Sequence, residues 1–154
     1  MTENYSEKFE SDSPERTESI AGNFAMTLKP PAFVALNGPL GAGKTKFSSG
    51  IIRFFCGNLN PTSPTFSIMN RYSCMEVAIN HFDFYRLKTV LDLENCGFFD
   101  SLSGENITIA EWTDIIGIDY KKFAEKGYYT VNIDIKTGGK EGNEKRFIKI
   151  EKIL

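Results

Sequence analysis

Apolar positions change rhythm several times along this chain, and each change predicts an element. From Ser13 onward, Ile20, Phe24 and Leu28 recur at helical spacing. Ser13 can cap the free amides of such a helix, Pro14 suits its first position, and Glu15 lies at the positive end of its dipole. Pro30-Pro31 stops it. Ala32-Phe33-Val34-Ala35-Leu36 is apolar without a break, the pattern of a parallel strand buried on both faces. A glycine-rich stretch follows, and a second helix is expected from about Lys44 to Phe55, closing at Gly57.

The rhythm then shortens. Asn58 to Thr65 contains Pro61 and Pro64 and reads as a loop. Strands are expected over Phe66–Tyr72 and Val77–Phe84. In the second, His81 and Asp83 face one way and Phe82 and Phe84 the other. Leu87 to about Leu102 reads as partly helical, with a break at Gly97. Ile107-Thr108-Ile109-Ala110 is a short β-branched strand that ends at Glu111-Trp112. Tyr128–Ile135 and Lys145–Ile150 alternate as two antiparallel edge strands joined around Gly138-Gly139. Residues 1–12 are polar and acidic and are expected to form a flexible tail ahead of one domain, residues 13–154.

Composition mainly excludes. The chain has 154 residues, 41% hydrophobic and 25% charged, which fits one soluble domain. A net charge of −2 and a pI near 5.5 provide no global field for holding nucleic acid, so no DNA is expected and RNA contact would need a partner or a local patch. The Lys- and Arg-rich run between Lys136 and Lys152 reads as a solvated strand edge. Cys56, Cys74 and Cys96 include no CxxC, which argues against a disulfide framework or a zinc site and fits a reduced, cytoplasmic setting. Met1-Thr2-Glu3-Asn4 is unlike a signal peptide, and no apolar run is long enough to span a bilayer.

The glycine-rich stretch carries the chemistry. Gly38-Pro39-Leu40-Gly41-Ala42-Gly43-Lys44-Thr45 matches GxxxxGK[ST] and falls between a predicted strand and a predicted helix. Glycines let successive N–H groups turn inward around phosphate oxygens, and a helix N-terminus adds positive charge. Lys44 is expected at the β- and γ-phosphates, and the Thr45 hydroxyl on Mg²⁺. Position 46, here Lys46, is counted with Gly38, Leu40, Gly41, Ala42, Gly43, Lys44 and Thr45 among the nucleotide-binding residues. A second acidic anchor belongs at a neighbouring strand's C-terminal end, and both Asp83 and Glu111 occupy such positions. Pro61-Thr62-Ser63-Pro64-Thr65-Phe66 lies where switch segments follow the P-loop helix. His81, the only histidine, reads as a hydrogen-bonded structural residue before a proton-transfer group. Trp112, the only tryptophan, is either core or an aromatic wall beside the nucleotide. No NKxD-type segment is present, which favours ATP over GTP.

Taken together, Leu40-Gly41-Ala42-Gly43-Lys44-Thr45, Ser63-Pro64-Thr65-Phe66, His81-Phe82-Asp83-Phe84-Tyr85-Arg86-Leu87 and Glu111-Trp112 resemble the four signatures of the TsaE family. The resemblance covers Thr17 to Trp112 clearly and the remainder by general pattern. It implies a single α/β P-loop NTPase domain with a mostly parallel central sheet, flanked by helices and carrying antiparallel edge strands. It implies ATP hydrolysis in support of a TsaD–TsaB heterodimer that forms threonylcarbamoyladenosine at position 37 of ANN-decoding tRNAs, with tRNA met only through that complex. By match, Thr45 and Glu111 would hold Mg²⁺, Lys44 the phosphates, and Asp83 would assist hydrolysis. Ser63 and Thr65 would form the switch, Thr17 would lie near the base, and Arg146 matches a C-terminal arginine. Pro39, Lys46 and Ser49 depart from the family pattern but leave the glycines and Lys44 intact.

Two other readings fit the same residues. A small-molecule kinase needs several arginines to clamp a second phosphorylated substrate, and Arg16, Arg53, Arg71, Arg86 and Arg146 form no lid-like cluster. A nucleotide-dependent docking scaffold with little hydrolysis is the other.

Overall fold

The computed structural model describes residues 5–138 and 143–154. At its centre is β2 (Ala32–Asn37), whose first five residues are buried. Ala32, Val34 and Leu36 join one apolar cluster and Phe33 and Ala35 another, so the unbroken apolar run does serve both faces of a sheet. β2 lies parallel to β5 (Asn106–Glu111) on one side and to β6 (Tyr128–Gly138) on the other. β4 (Ala78–Asp83) extends the parallel core beyond β5. Antiparallel neighbours, β1 (Ser6–Ser11), β3 (Met69–Ser73) and β7 (Asn143–Lys152), complete seven strands in the order β1-β7-β6-β2-β5-β4-β3.

Two helices cover one face. α1 (Pro14–Ala25) starts as its sequence predicts: Ser13 Oγ accepts from the Arg16 N–H and Pro14 occupies the first turn. α2 (Lys44–Cys56) ends at Gly57, whose N–H bonds the Arg53 carbonyl. The helices cross closely at Gly50, where an added Cβ would lie 2.4 Å from the Glu18 carbonyl oxygen. On the opposite face Phe33, Phe82 and Phe84 pack with Phe98, the first residue of the short helix α4 (Phe98–Ser101), and with Leu93 of α3 (Val90–Asn95). Each fully buried aromatic there contributes roughly 1.5–3 kcal/mol relative to exposure. The break between α3 and α4 falls at Gly97, which adopts φ +80°.

Four expectations change. The acidic tail is not loose through residue 12: Ser6–Ser11 forms β1, antiparallel to β7, while residues 1–4 lie outside the described residues. β6 and β7 are antiparallel to each other but are not the edges, which belong to β1 and β3. Gly138 ends β6, and Gly139 lies outside the described residues. β3 begins at Met69, leaving Phe66 83% exposed in the preceding loop. Finally, Cys56 at the end of α2 pairs with Cys74 after β3, with Cα atoms 5.0 Å apart, and Cys96 is free.

Candidate nucleotide site

The C-terminal ends of β2, β5 and β4 meet at the N-terminus of α2. Gly43 caps that helix in a left-handed conformation, φ +100°, and has no side chain with which to satisfy its first-turn amides. Among the described residues, no side chain caps this turn. A loop rich in glycine whose helix amides are free suits a phosphate.

Register brings the acids here. Glu111 on β5 lies beside Leu36 of β2 on one side and Asp83 of β4 on the other. Ile79 and Ile107 pack in the cluster beneath α1 and α2, so the alternate positions His81, Asp83, Ile109 and Glu111 share that face. Glu111 is buried, and its Oε2 accepts from the Thr45 hydroxyl at 3.3 Å. Its Oε1 lies 2.8 Å from His81 Nε2 and 3.3 Å from Ser48 Oγ. Asp83 is buried too, but it faces the loop. Its Oδ2 accepts from Thr65 Oγ1 at 3.2 Å with Ser63 Oγ at 3.5 Å, and its Oδ1 accepts from the Tyr85 N–H.

Lys44 is buried at the same mouth. Its Nζ donates to the Gly38 and Pro39 carbonyls at 2.7 and 3.0 Å and sits 3.8 Å from the centroid of the Trp112 ring. Burial lowers the ammonium pKa from its ordinary value, against the upward pull of Glu111, Asp83 and Asp114. Trp112 is half-buried and serves both places: it packs against the aromatic cluster beside α3 and α4 while its ring faces Lys44, and it adopts φ +61° and lies on Tyr85, with centroids 5.0 Å apart.

The oxygen donors fit a hard divalent cation, since a hydroxyl and a carboxylate oxygen already converge on one point at Thr45 and Glu111. A cavity of about 380 Å³ opens there, reached by Leu40, Lys44, Thr45, Thr65, Asp83 and Glu111. A second cavity, about 200 Å³, lies behind the loop between Thr17, Gly41, Ala42, Gly43, Lys46 and Arg146. Thr17 is anchored by a 2.8 Å bond between its hydroxyl and that of Ser11. Arg146 Nη2 donates to the Gly41 carbonyl at 3.1 Å, tying β7 to the P-loop.

With this geometry in place, comparison with known proteins decides the family. A model of the family described as threonylcarbamoyl adenosine biosynthesis protein TsaE matches residues 11–146. The chain belongs to the TsaE family. The TsaE of Rickettsia bellii is 45% identical over 106 residues, 68% of this chain and 73% of that protein. For Rickettsia conorii TsaE the identity is 43% and the chain covers 60% of that protein. Bacillus subtilis TsaE is 32% identical over 109 residues, 71% of this chain and 68% of that one. The crystal structure of Bacillus subtilis YdiB shares the fold, with a TM-score of 0.66 at 24% identity over 100% of this chain and 90% of that one.

Within this TsaE fold, the expected P-loop residues from Leu40 to Lys46 lie at the mouth or behind it, Gly38 lines a separate cavity beside Trp112 and Asp134, and Asp83 and Glu111 lie side by side. Ser48 was not anticipated. Its one legible signal is its place four residues after Lys44, on the same face of α2. Among the described residues, no helix is long and apolar enough to cross a membrane.

Proposed function

We propose that this chain binds ATP with Mg²⁺ and hydrolyses it, weakly alone and faster with a partner, in support of threonylcarbamoyladenosine formation at position 37 of ANN-decoding tRNAs. Its partner in this reading is a TsaD–TsaB-like heterodimer in the cytoplasm, through which tRNA is met. The observation that carries the reading is the approach of Glu111 to Thr45 at the free N-terminus of α2, in a chain of the TsaE family.

Each residue has a role in it. Glycine amides and the first turn of α2 hold phosphate oxygens, and Lys44 turns from the Gly38 and Pro39 carbonyls to the β- and γ-phosphates. Thr45 Oγ1 and Glu111 Oε2 would hold Mg²⁺, whose charge would offset that on the phosphate oxygens. Asp83 assists hydrolysis, and its bonds to Thr65 and Ser63 link that step to the loop between α2 and β3. Thr17 and Lys46 flank the cavity behind the loop, the place assigned to the rest of the nucleotide.

The test is ATP turnover by the chain alone and with a TsaD–TsaB pair. Stimulation by the pair, abolished by Asp83→Ala or Glu111→Ala, is expected. No stimulation, together with full activity in both variants, would sink the proposal.

A further inference from the structure

Glu111 uses its two oxygens differently. Oε2 faces the P-loop and meets Thr45, whereas Oε1 faces inward to His81 and Ser48. His81 and Ser48 are both 0% exposed, on different elements that grip the same atom from β4 and from α2. Ser48 Oγ lies 3.0 Å from the Lys44 carbonyl and 3.3 Å from Oε1, so its single proton is shared between a helix carbonyl and the carboxylate.

The histidine ring adds a second, independent observation. Among the described residues, His81 Nδ1 is the one buried side-chain nitrogen or oxygen with no partner. With the ring proton on Nε2, the ring donates to Glu111 and leaves at Nδ1 only a bare lone pair. With the proton on Nδ1, a buried N–H goes unsatisfied and a lone pair points at the carboxylate, the costlier arrangement. Nothing bonds Nδ1, so the ring's hydrogen bonding is committed to Oε1.

We propose that His81 and Ser48 are positioning residues. They pin Oε1 of Glu111 and so aim Oε2 at the Thr45 hydroxyl, preparing the pair for a divalent cation before nucleotide arrives. The proposal rests on the reading of Thr45 and Glu111 as the Mg²⁺ site. Groups that fix the orientation of a ligating carboxylate commonly change metal affinity by about 10- to 100-fold when removed.

The test separates metal from nucleotide. Binding of an imido-linked ATP analogue is measured by calorimetry over a Mg²⁺ series and again in excess EDTA. His81→Leu is expected to weaken the Mg²⁺-dependent part by roughly tenfold or more while leaving EDTA binding within about twofold, less than the effect of one net hydrogen bond. His81→Gln, which can place an N–H near the former Nε2, is expected to recover most of the loss. Ser48→Ala is expected to cost about threefold, the scale of one modest hydrogen bond.

Because His81 is the only histidine, its ring gives one set of ¹⁵N signals, which should show the proton on Nε2. An unchanged Mg²⁺ dependence in His81→Leu, or an equal loss in His81→Gln, would overturn the positioning role. A proton on Nδ1 would overturn it independently. An Nε2 proton in a wild-type chain that ignores Mg²⁺ would instead overturn the proposal through the cation site, with the grip on Oε1 intact.

Discussion

Glu111 and Asp83 lie opposite each other in register on neighbouring parallel strands, and both are buried, yet they bond to different kinds of structure. Glu111 reaches regular elements: Thr45 and Ser48 on α2 and His81 on β4. Asp83 reaches the loop before β3, where Ser63 is exposed and Ile68 takes φ +69°. A carboxylate held by a helix and a strand is fixed, as a metal site requires, whereas one held by a loop can follow that loop. The roles proposed for them therefore differ with their partners, although burial and strand position are nearly the same.

The sharpest way to break this contrast is to remove each acid in turn. Glu111→Ala should abolish the Mg²⁺ dependence of nucleotide binding and lower turnover by about 10²- to 10³-fold, the scale of several kcal/mol of lost charge stabilisation. It should also lower stability by about 1–3 kcal/mol, because the His81 Nε2–H loses its acceptor in the core. Asp83→Ala should lower turnover by about a hundredfold while Mg²⁺-dependent binding, read by calorimetry, stays near wild type. Equal loss of Mg²⁺ dependence in both variants would erase the distinction.

Smaller changes act on one side only. Thr65→Val removes one hydroxyl from Asp83 and should lower turnover by roughly three- to tenfold, with no effect on nucleotide binding in EDTA. Cys56 and Cys74 bracket the whole loop from the end of α2 to the end of β3. Cys56→Ser should therefore lower the stability of the oxidised protein by about 3 kcal/mol, as for a closed loop of this size, and reductant should remove the difference between variant and wild type. Mg²⁺-dependent nucleotide binding should change least of all, because the P-loop and Glu111 lie outside the bracketed segment, whereas Ser63 and Thr65 lie inside it.

How much of this was legible in the sequence follows the distance between partners. The P-loop is read within eight consecutive residues, between a strand and a helix that each announce themselves locally. Asp83 and Glu111 were legible as strand ends, and His81 as sharing a face with Asp83, because a strand alternates with period two. Their bonds were not legible, since those depend on which strands become neighbours. β1 was missed for the same reason. Ser6-Glu7-Lys8-Phe9-Glu10-Ser11 has a single large apolar residue, and its partner β7 comes at the far end of the chain. The alternation in β6 and β7 predicted pairing, but it could not reveal that β1 would close one side and β2 the other. The Cys56–Cys74 pairing had no spacing signal either, because α2 and the β3–β4 connection are brought together only by packing.

The most direct measurement is a crystal structure with an ATP analogue and Mn²⁺, read by anomalous scattering. The peak should lie between Thr45 Oγ1 and Glu111 Oε2, with His81 still bonded to Oε1 and Asp83 free of the metal. A peak on Asp83 with Glu111 turned away from Thr45 would contradict the division of labour between the two acids.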